Sequence, residues 1–161
     1  MSGIIPDNAP FLSKVYFLIS ANNIFGDSMS RIKEFFIVFG IGAFLYGGIE
    51  VAFRGYTHWS MFLTGGIIFY SLYLMFGYIG KGKILLKCIM GCVIITTGEF
   101  LVGCVVNLLF GMDVWDYSDQ MLNIFGQICL LFSLGWFFLS IPASFIAGRI
   151  RRRLRYDTQS V

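Results

Sequence analysis

The sequence predicts an all-α polytopic membrane protein, with four transmembrane helices in a compact bundle and a short interfacial helix ahead of them. Three observations carry this. The composition is 57% hydrophobic and 13% charged, with a mean hydropathy of +0.77, where a soluble domain carries about a quarter charged residues. Four segments reach the length of about 20 mostly apolar residues that a helix needs to cross a hydrocarbon core of about 30 Å. The lysines and arginines collect before the first segment, between the second and third, and after the fourth.

The chain divides into an N-terminal cytoplasmic or interfacial segment (1–30), a four-helix transmembrane domain (31–148) and a basic cytoplasmic tail (149–161). Phe11 to Ser20 is too short to span. Its apolar positions 11, 12, 15, 16, 18 and 19 fall on one helical face behind Asn8, a candidate N-cap, which reads as a helix lying in the interface. A disordered end is the alternative. Acidic Asp7 and Asp27 and the want of a basic start or a small-residue cleavage site argue against a cleavable leader. The first span is therefore expected to act as an uncleaved anchor.

The spans follow as Phe35 to Phe53, Met61 to Ile79, Ile89 to Phe110 and Leu122 to Ala147, interrupted only by Glu50 and Glu99. Gly40, Gly42, Ala43, Gly47 and Gly48 in the first, with Gly65 and Gly66 in the second, permit close backbone approach. Pro142 is expected to kink the fourth. Lys14, Arg31 and Lys33 precede the first span, Lys81, Lys83 and Lys87 flank the second connection, and Arg149, Arg151, Arg152, Arg153 and Arg155 follow the last. The other connections hold Arg54 on one and Asp113, Asp116 and Asp119 on the other. By the positive-inside rule both termini are cytoplasmic in the cell membrane, and the first and third connections face outward.

The tail GRIRRRLRY fixes topology and meets anionic headgroups, a better reading than a nucleic-acid patch directly after a membrane span. Cys88, Cys92, Cys104 and Cys129 all fall inside expected spans, as small hydrophobes rather than disulfides or zinc ligands. In GYIGKGKI, Gly77, Gly82 and Lys83 take the spacing of a phosphate-binding loop. The match fails because Ile84 stands where a magnesium-binding hydroxyl is required and no strand precedes it. A helix terminator is the reading, with no ATPase motif in the chain. His58 and Ser60 with Asp116 as a triad, or His58, Glu50, Glu99 and Asp116 as a metal site, have no spacing that demands them. No cofactor, metal or catalytic residue is assigned.

One constellation remains. Glu99 lies about 12 residues beyond Lys87, about 18 Å along the helix and past the midplane. Cys92, Thr96, Glu99, Gly103 and Asn107 share one helical face, which must look inward because an ionisable group facing lipid costs several kcal/mol. Glu50 and Arg54 stack four apart at the outer end of the first span, and Asn123 and Gln127 do the same at the start of the fourth. These groups converge at the outer leaflet, with Tyr56, His58, Trp59, Trp115, Asp116 and Tyr117 around them. The expectation is a pocket lined by Glu50, Glu99, Asn107 and Gln127 under a rim of RGYTHWSM. The alternative is that the groups satisfy one another as packing glue, with Arg54 paired to Glu50 or to Glu99.

The blocks FLYGGIEVAFRGYTHWSMFLTGG, IITTGEFLVGCVVN and WDYSDQMLNIFGQICLLFSLGWFFLS resemble the ABC-transporter type IV (CmpB-like) membrane protein family and the related transmembrane protein 229 group, over about Phe39 to Ile141. The resemblance implies a four-helix multi-pass protein. Its signature positions match Glu50, Arg54, Thr57, His58, Trp59, Ser60, Glu99, Asn107, Trp115, Asp116, Tyr117, Ser118, Asn123, Gly126 and Gln127. Two positions depart: Met121 stands where the family usually has proline, and Gly98 where it has a larger apolar residue.

The expected function is that of a permease-like transport subunit with an outward-facing polar site. ATP hydrolysis would be supplied by another chain, and the helices would be completed by a homo-oligomer or a partner. Two other classes stand beside it. One is an intramembrane enzyme or lipid-binding protein acting on headgroups, with Glu99 or His58 as base and Arg54 as anion anchor. The other is a structural or assembly factor that needs no site. Membrane lipids are partners in every case, and nucleic acid in none.

Overall fold

The computed structural model describes the backbone of residues 9–159 and the side chains of residues 30–154. Two compact units divide the chain, residues 1–35 and 36–161. The helices are α1 (Ala9–Arg54), α2 (Trp59–Ile79), α3 (Ile84–Gly103) and α4 (Leu130–Gln159). Among the described residues there is no strand, only an isolated bridge between Ile124 and Ile128. The Asn8 cap and the apolar face of residues 11–20 expected of an interfacial helix lie outside the described residues and side chains. Four stretches are long and apolar enough to cross a membrane: Ser30–Arg54, Trp59–Ile79, Ile84–Leu109 and Leu130–Leu154.

Local chemistry sets most of these ends. After Arg54 the chain turns at Gly55, whose φ of +78° is open to glycine without cost. α2 then starts behind His58, whose ring nitrogen accepts from the Ser60 amide. It stops at Gly80, where φ is +80° and the amide closes on the Phe76 carbonyl at 3.2 Å. GYIGKGKI is thus a helix terminator followed by a tight basic turn.

Within the second unit, α2 is the most enclosed helix: 44% of its apolar window is buried, against 22% for α4. It crosses α1 at glycines. A Cβ on Gly42 would lie 2.8 Å from the Gly65 carbonyl, and one on Gly65 would run into Tyr46. α3 packs on both α2 and α4. At Gly98 a Cβ would lie 2.8 Å from Ile68, so glycine here lets α2 sit close against α3. Outward-pointing Phe44, Phe53, Leu85, Leu131 and Phe145 are exposed, a surface matched to lipid tails.

Two span boundaries need correction. The third helix begins earlier, at Ile84, and its last turn, Cys104–Leu109, is π-helical. The fourth begins at Leu130 rather than Leu122. Leu122, Phe125 and Gly126 take φ values of +54°, +52° and +68°, which a right-handed helix excludes. Asn123 and Gln127 are therefore not stacked on a helical face, and Cys129 sits just ahead of α4 rather than within it. Hydropathy misleads here because residues 122–129 are apolar enough to extend a helix, while the amides of Ile124, Gly126 and Gln127 bond to Ile128, Asn123 and Ile124 within a loop. α4 itself continues through Pro142.

Candidate functional site

α1, α3 and α4 meet on one carboxylate. Glu99 is 3% exposed. It accepts from the Tyr46 hydroxyl through one oxygen, in a short hydrogen bond, and from Trp136 Nε1 through the other at 2.6 Å. The two donor rings stack on each other with centroids 5.8 Å apart. The expected polar face of α3 is real on either side of it: Cys92 and Thr96 contact Ser133 of α4, and Gly103 leaves room for Gln127 and Trp115. Neither Tyr46 nor Trp136 was singled out by sequence. The available signal was their position, since a phenol or indole well inside a span needs a buried acceptor for its O–H or N–H.

Glu50, not Glu99, pairs with Arg54, at 3.1 Å. The guanidinium also donates to the Val114 carbonyl and, at 3.2 Å, to Tyr56, whose ring it overlies. Thr57 reaches the other Glu50 oxygen at 3.4 Å. Arg54 thus pins the end of α1 to the connection between α3 and α4.

That connection, residues 110–129, is organised by Asn107 on the π-helical turn, a local geometry frequent at functional positions. Its Nδ2 donates to the Trp115 carbonyl and to Gln127 Oε1, both at 2.8 Å, and its Oδ1 accepts from the Val114 amide at 2.8 Å. Trp115 Nε1 donates to the Gln127 carbonyl, and Gln127 Nε2 to the Phe125 carbonyl, each at 2.9 Å. Further out, Asp116 Oδ1 accepts from the amide and hydroxyl of Ser118 at 2.8 and 2.6 Å. Asn123 bonds the Ser118 and Gln120 carbonyls. Gly126 is held at positive φ where a Cβ would lie 2.6 Å from both Asp116 and Ser118.

The Ser118 hydroxyl, and then its amide, hold the Asp116 carboxyl below its ordinary range. Burial pushes the Tyr117 phenol up. A lowered carboxyl pKa stabilises the folded turn above the unfolded value, and this contribution is lost as pH falls through the folded one. Melting curves of wild type and Ser118→Ala should therefore differ at neutral pH and converge in acid. Parallel curves at every pH would remove Asp116 from this role.

His58 contacts Ser60 at 2.8 Å and packs against Trp59, so the two members of the triad pattern form a helix cap. Asp116 spends its contacts on Ser118. Of the expected site residues, Glu99 stands in one group with Tyr46 and Trp136, while Glu50, Arg54 and Thr57 are joined through Val114 to Asn107, Trp115 and Gln127 in a second. His58, Ser60, Asp116, Ser118 and Asn123 lie outside both, in the helix cap and the outer turn. Among the described residues, every buried side-chain nitrogen and oxygen has a partner. Beside the first group runs an apolar groove of about 220 Å³, lined by Tyr46, Trp136, Phe69, Ile95 and Pro142 among others.

Four apolar spans around a buried carboxylate, capped at one end by a hydrogen-bonded loop, define a polytopic membrane protein with a polar centre. The family model described as "Putative ABC-transporter type IV" matches residues 14–156, and the chain belongs to that family. None of the curated proteins and none of the solved structures matches it significantly.

Proposed function

We propose that the chain is a permease-like membrane subunit of a transport system in the cell membrane. Both termini are cytoplasmic, and the polar centre and the loop of residues 110–129 are on the outward side. ATP hydrolysis comes from a separate chain, and a second copy or a partner completes the path. The observation that carries this reading is the Glu99 carboxylate, held at the meeting point of three helices beside a groove whose walls include both of its donors. An apolar or amphiphilic substrate in that groove reaches Glu99 by displacing Tyr46 or Trp136. Such a movement would be felt by three helices at once.

The test is purification of the complex from native membranes into nanodiscs, with mass spectrometry of its protein partners. A stoichiometric nucleotide-binding chain supports transport, and its consistent absence counts against it. Glu99→Gln adds the second arm. Its carbonyl can still accept from Trp136 while its NH₂ turns to the Tyr46 oxygen and leaves the Tyr46 O–H without its acceptor, so the fold is expected to persist at a cost of about 1–3 kcal/mol. A folded, abundant variant that fails to complement a deletion strain places function on Glu99.

The satisfied hydrogen bonding of the buried groups favours a second reading, that of an assembly factor. Full complementation by Glu99→Gln would favour it.

A further inference from the structure

At the end of the bundle away from the Asn107 loop, α2, α3 and α4 enclose a cleft of about 630 Å³, within the range of about 300–1,000 Å³ usual for small-ligand sites. Lys81, Lys87, Arg151 and Arg152 line it, and buried Tyr73 and Phe76 give it an apolar wall. Among the described residues no carboxylate pairs with any of these four cations. Four like charges around one cavity repel one another, and an anion placed among them relieves that repulsion.

The cations are not all loose surface groups. Arg151 is held with its guanidinium over the Tyr73 ring, 4.3 Å from the centroid, and it donates to the Tyr73 carbonyl. It occupies space that exists only because Gly77 has no side chain, since a Cβ there would overlap the guanidinium. One donor direction is used in this seat, and a guanidinium has five N–H groups. Lys87 stands on the first turn of α3, a helix whose N-terminus has no side-chain cap. The positive end of that helix's dipole adds to the potential around Lys87.

We propose that this cleft binds a phosphate group, carried by the headgroup of an anionic phospholipid or free in the aqueous phase. Fixed guanidinium, mobile ammonium groups and an uncapped helix start match tetrahedral oxyanion chemistry. The apolar wall lies where the first methylenes of a lipid would follow its phosphate. The site is independent of Glu99, since the cleft shares no lining residue with Glu99 or its partners Tyr46 and Trp136.

The test uses the full chain in phosphatidylcholine nanodiscs with and without phosphatidylglycerol, read by native mass spectrometry of retained lipid and by melting temperature. Lys87→Gln and Arg152→Gln remove cleft charge at half-buried and exposed positions, so the fold is preserved. Each is expected to weaken phosphatidylglycerol retention about fivefold, at about 1 kcal/mol per basic residue. Arg149→Gln and Arg153→Gln, exposed on α4 outside the cleft, should leave it unchanged. Preferential retention of phosphatidylglycerol identifies a headgroup as the source. A rise in melting temperature with inorganic phosphate in pure phosphatidylcholine discs, lost in the Lys87 and Arg152 variants, identifies free phosphate. Equal losses from both pairs of variants, or no response to either probe, would overturn the proposal.

Discussion

Asn107→Leu is expected to release the connection between α3 and α4 and to cost several kcal/mol of stability. Leucine keeps the heavy-atom count and branching of asparagine but is bulkier, so overpacking at this buried position adds to the loss of hydrogen bonding. The Val114 amide, the Trp115 carbonyl and Gln127 Oε1 each lose their Asn107 partner, and Asn107 itself is only 6% exposed. A buried group left unsatisfied costs about 1–3 kcal/mol, and three coupled ones sum to less than three independent penalties. The loop also stores strain, with Leu122 and Phe125 held at positive φ, conformations that persist only where surrounding contacts over-determine them. Once the Asn107 anchor is gone, these residues are held only by the loop's remaining bonds, such as Gln127 to the Phe125 carbonyl and Asn123 to the Ser118 carbonyl. Asn123→Ala, in the exposed outer turn, should cost less than about 1 kcal/mol. Limited proteolysis within residues 110–129 and thermal unfolding in nanodiscs measure both variants, and equal behaviour would show that Asn107 does not anchor the loop.

Gly65→Leu is expected to yield no folded bundle, and Gly65→Ala to destabilise it by about 1–3 kcal/mol. The atoms a new Cβ would meet are Tyr46 Cβ and Cγ and the Gly42 carbonyl at 3.0 Å, none of which can swing aside as a side-chain tip would. α1 and α2 must separate. That separation pulls Tyr46 off Glu99, so the loss of packing carries a hydrogen bond with it. Gly48→Ala provides the contrast, since it is exposed and nothing lies within 4 Å of its would-be Cβ. Alanine there removes the helix penalty of glycine and should stabilise by up to about 1 kcal/mol. If Gly65→Ala melts with wild type, the close α1–α2 crossing is wrong.

The two positions also differ in how they could be read in advance. Gly65 belongs to a run of small residues that sequence marks for close approach, but its neighbour across the interface, Tyr46, is invisible until the helices are packed. Asn107 follows Glu99 on a helical count from Cys92, but it sits on the π-helical turn and its partners lie in the connection to α4. Its partners were only half anticipated, because Gln127 was counted on a fourth helix that begins three residues later. The Glu50–Arg54 pair lay wholly within one helix and was legible as i to i+4 spacing. The partners of Glu99 come from α1 and α4, 53 and 37 residues away in sequence, and no local pattern reports such distances.

Hydropathy, charge distribution and helical spacing are properties of a residue and its near neighbours. They sufficed for four membrane-length helices, for the inward face of α3 and for the helix stop at Gly80. Tertiary structure alone decided which donors hold Glu99, that α4 starts at Leu130, and that four scattered cations border one cleft. The reason is physical: in hydrocarbon every buried polar group must find a partner, but which partner it finds depends on the helices brought beside it by glycine contacts and a strained loop.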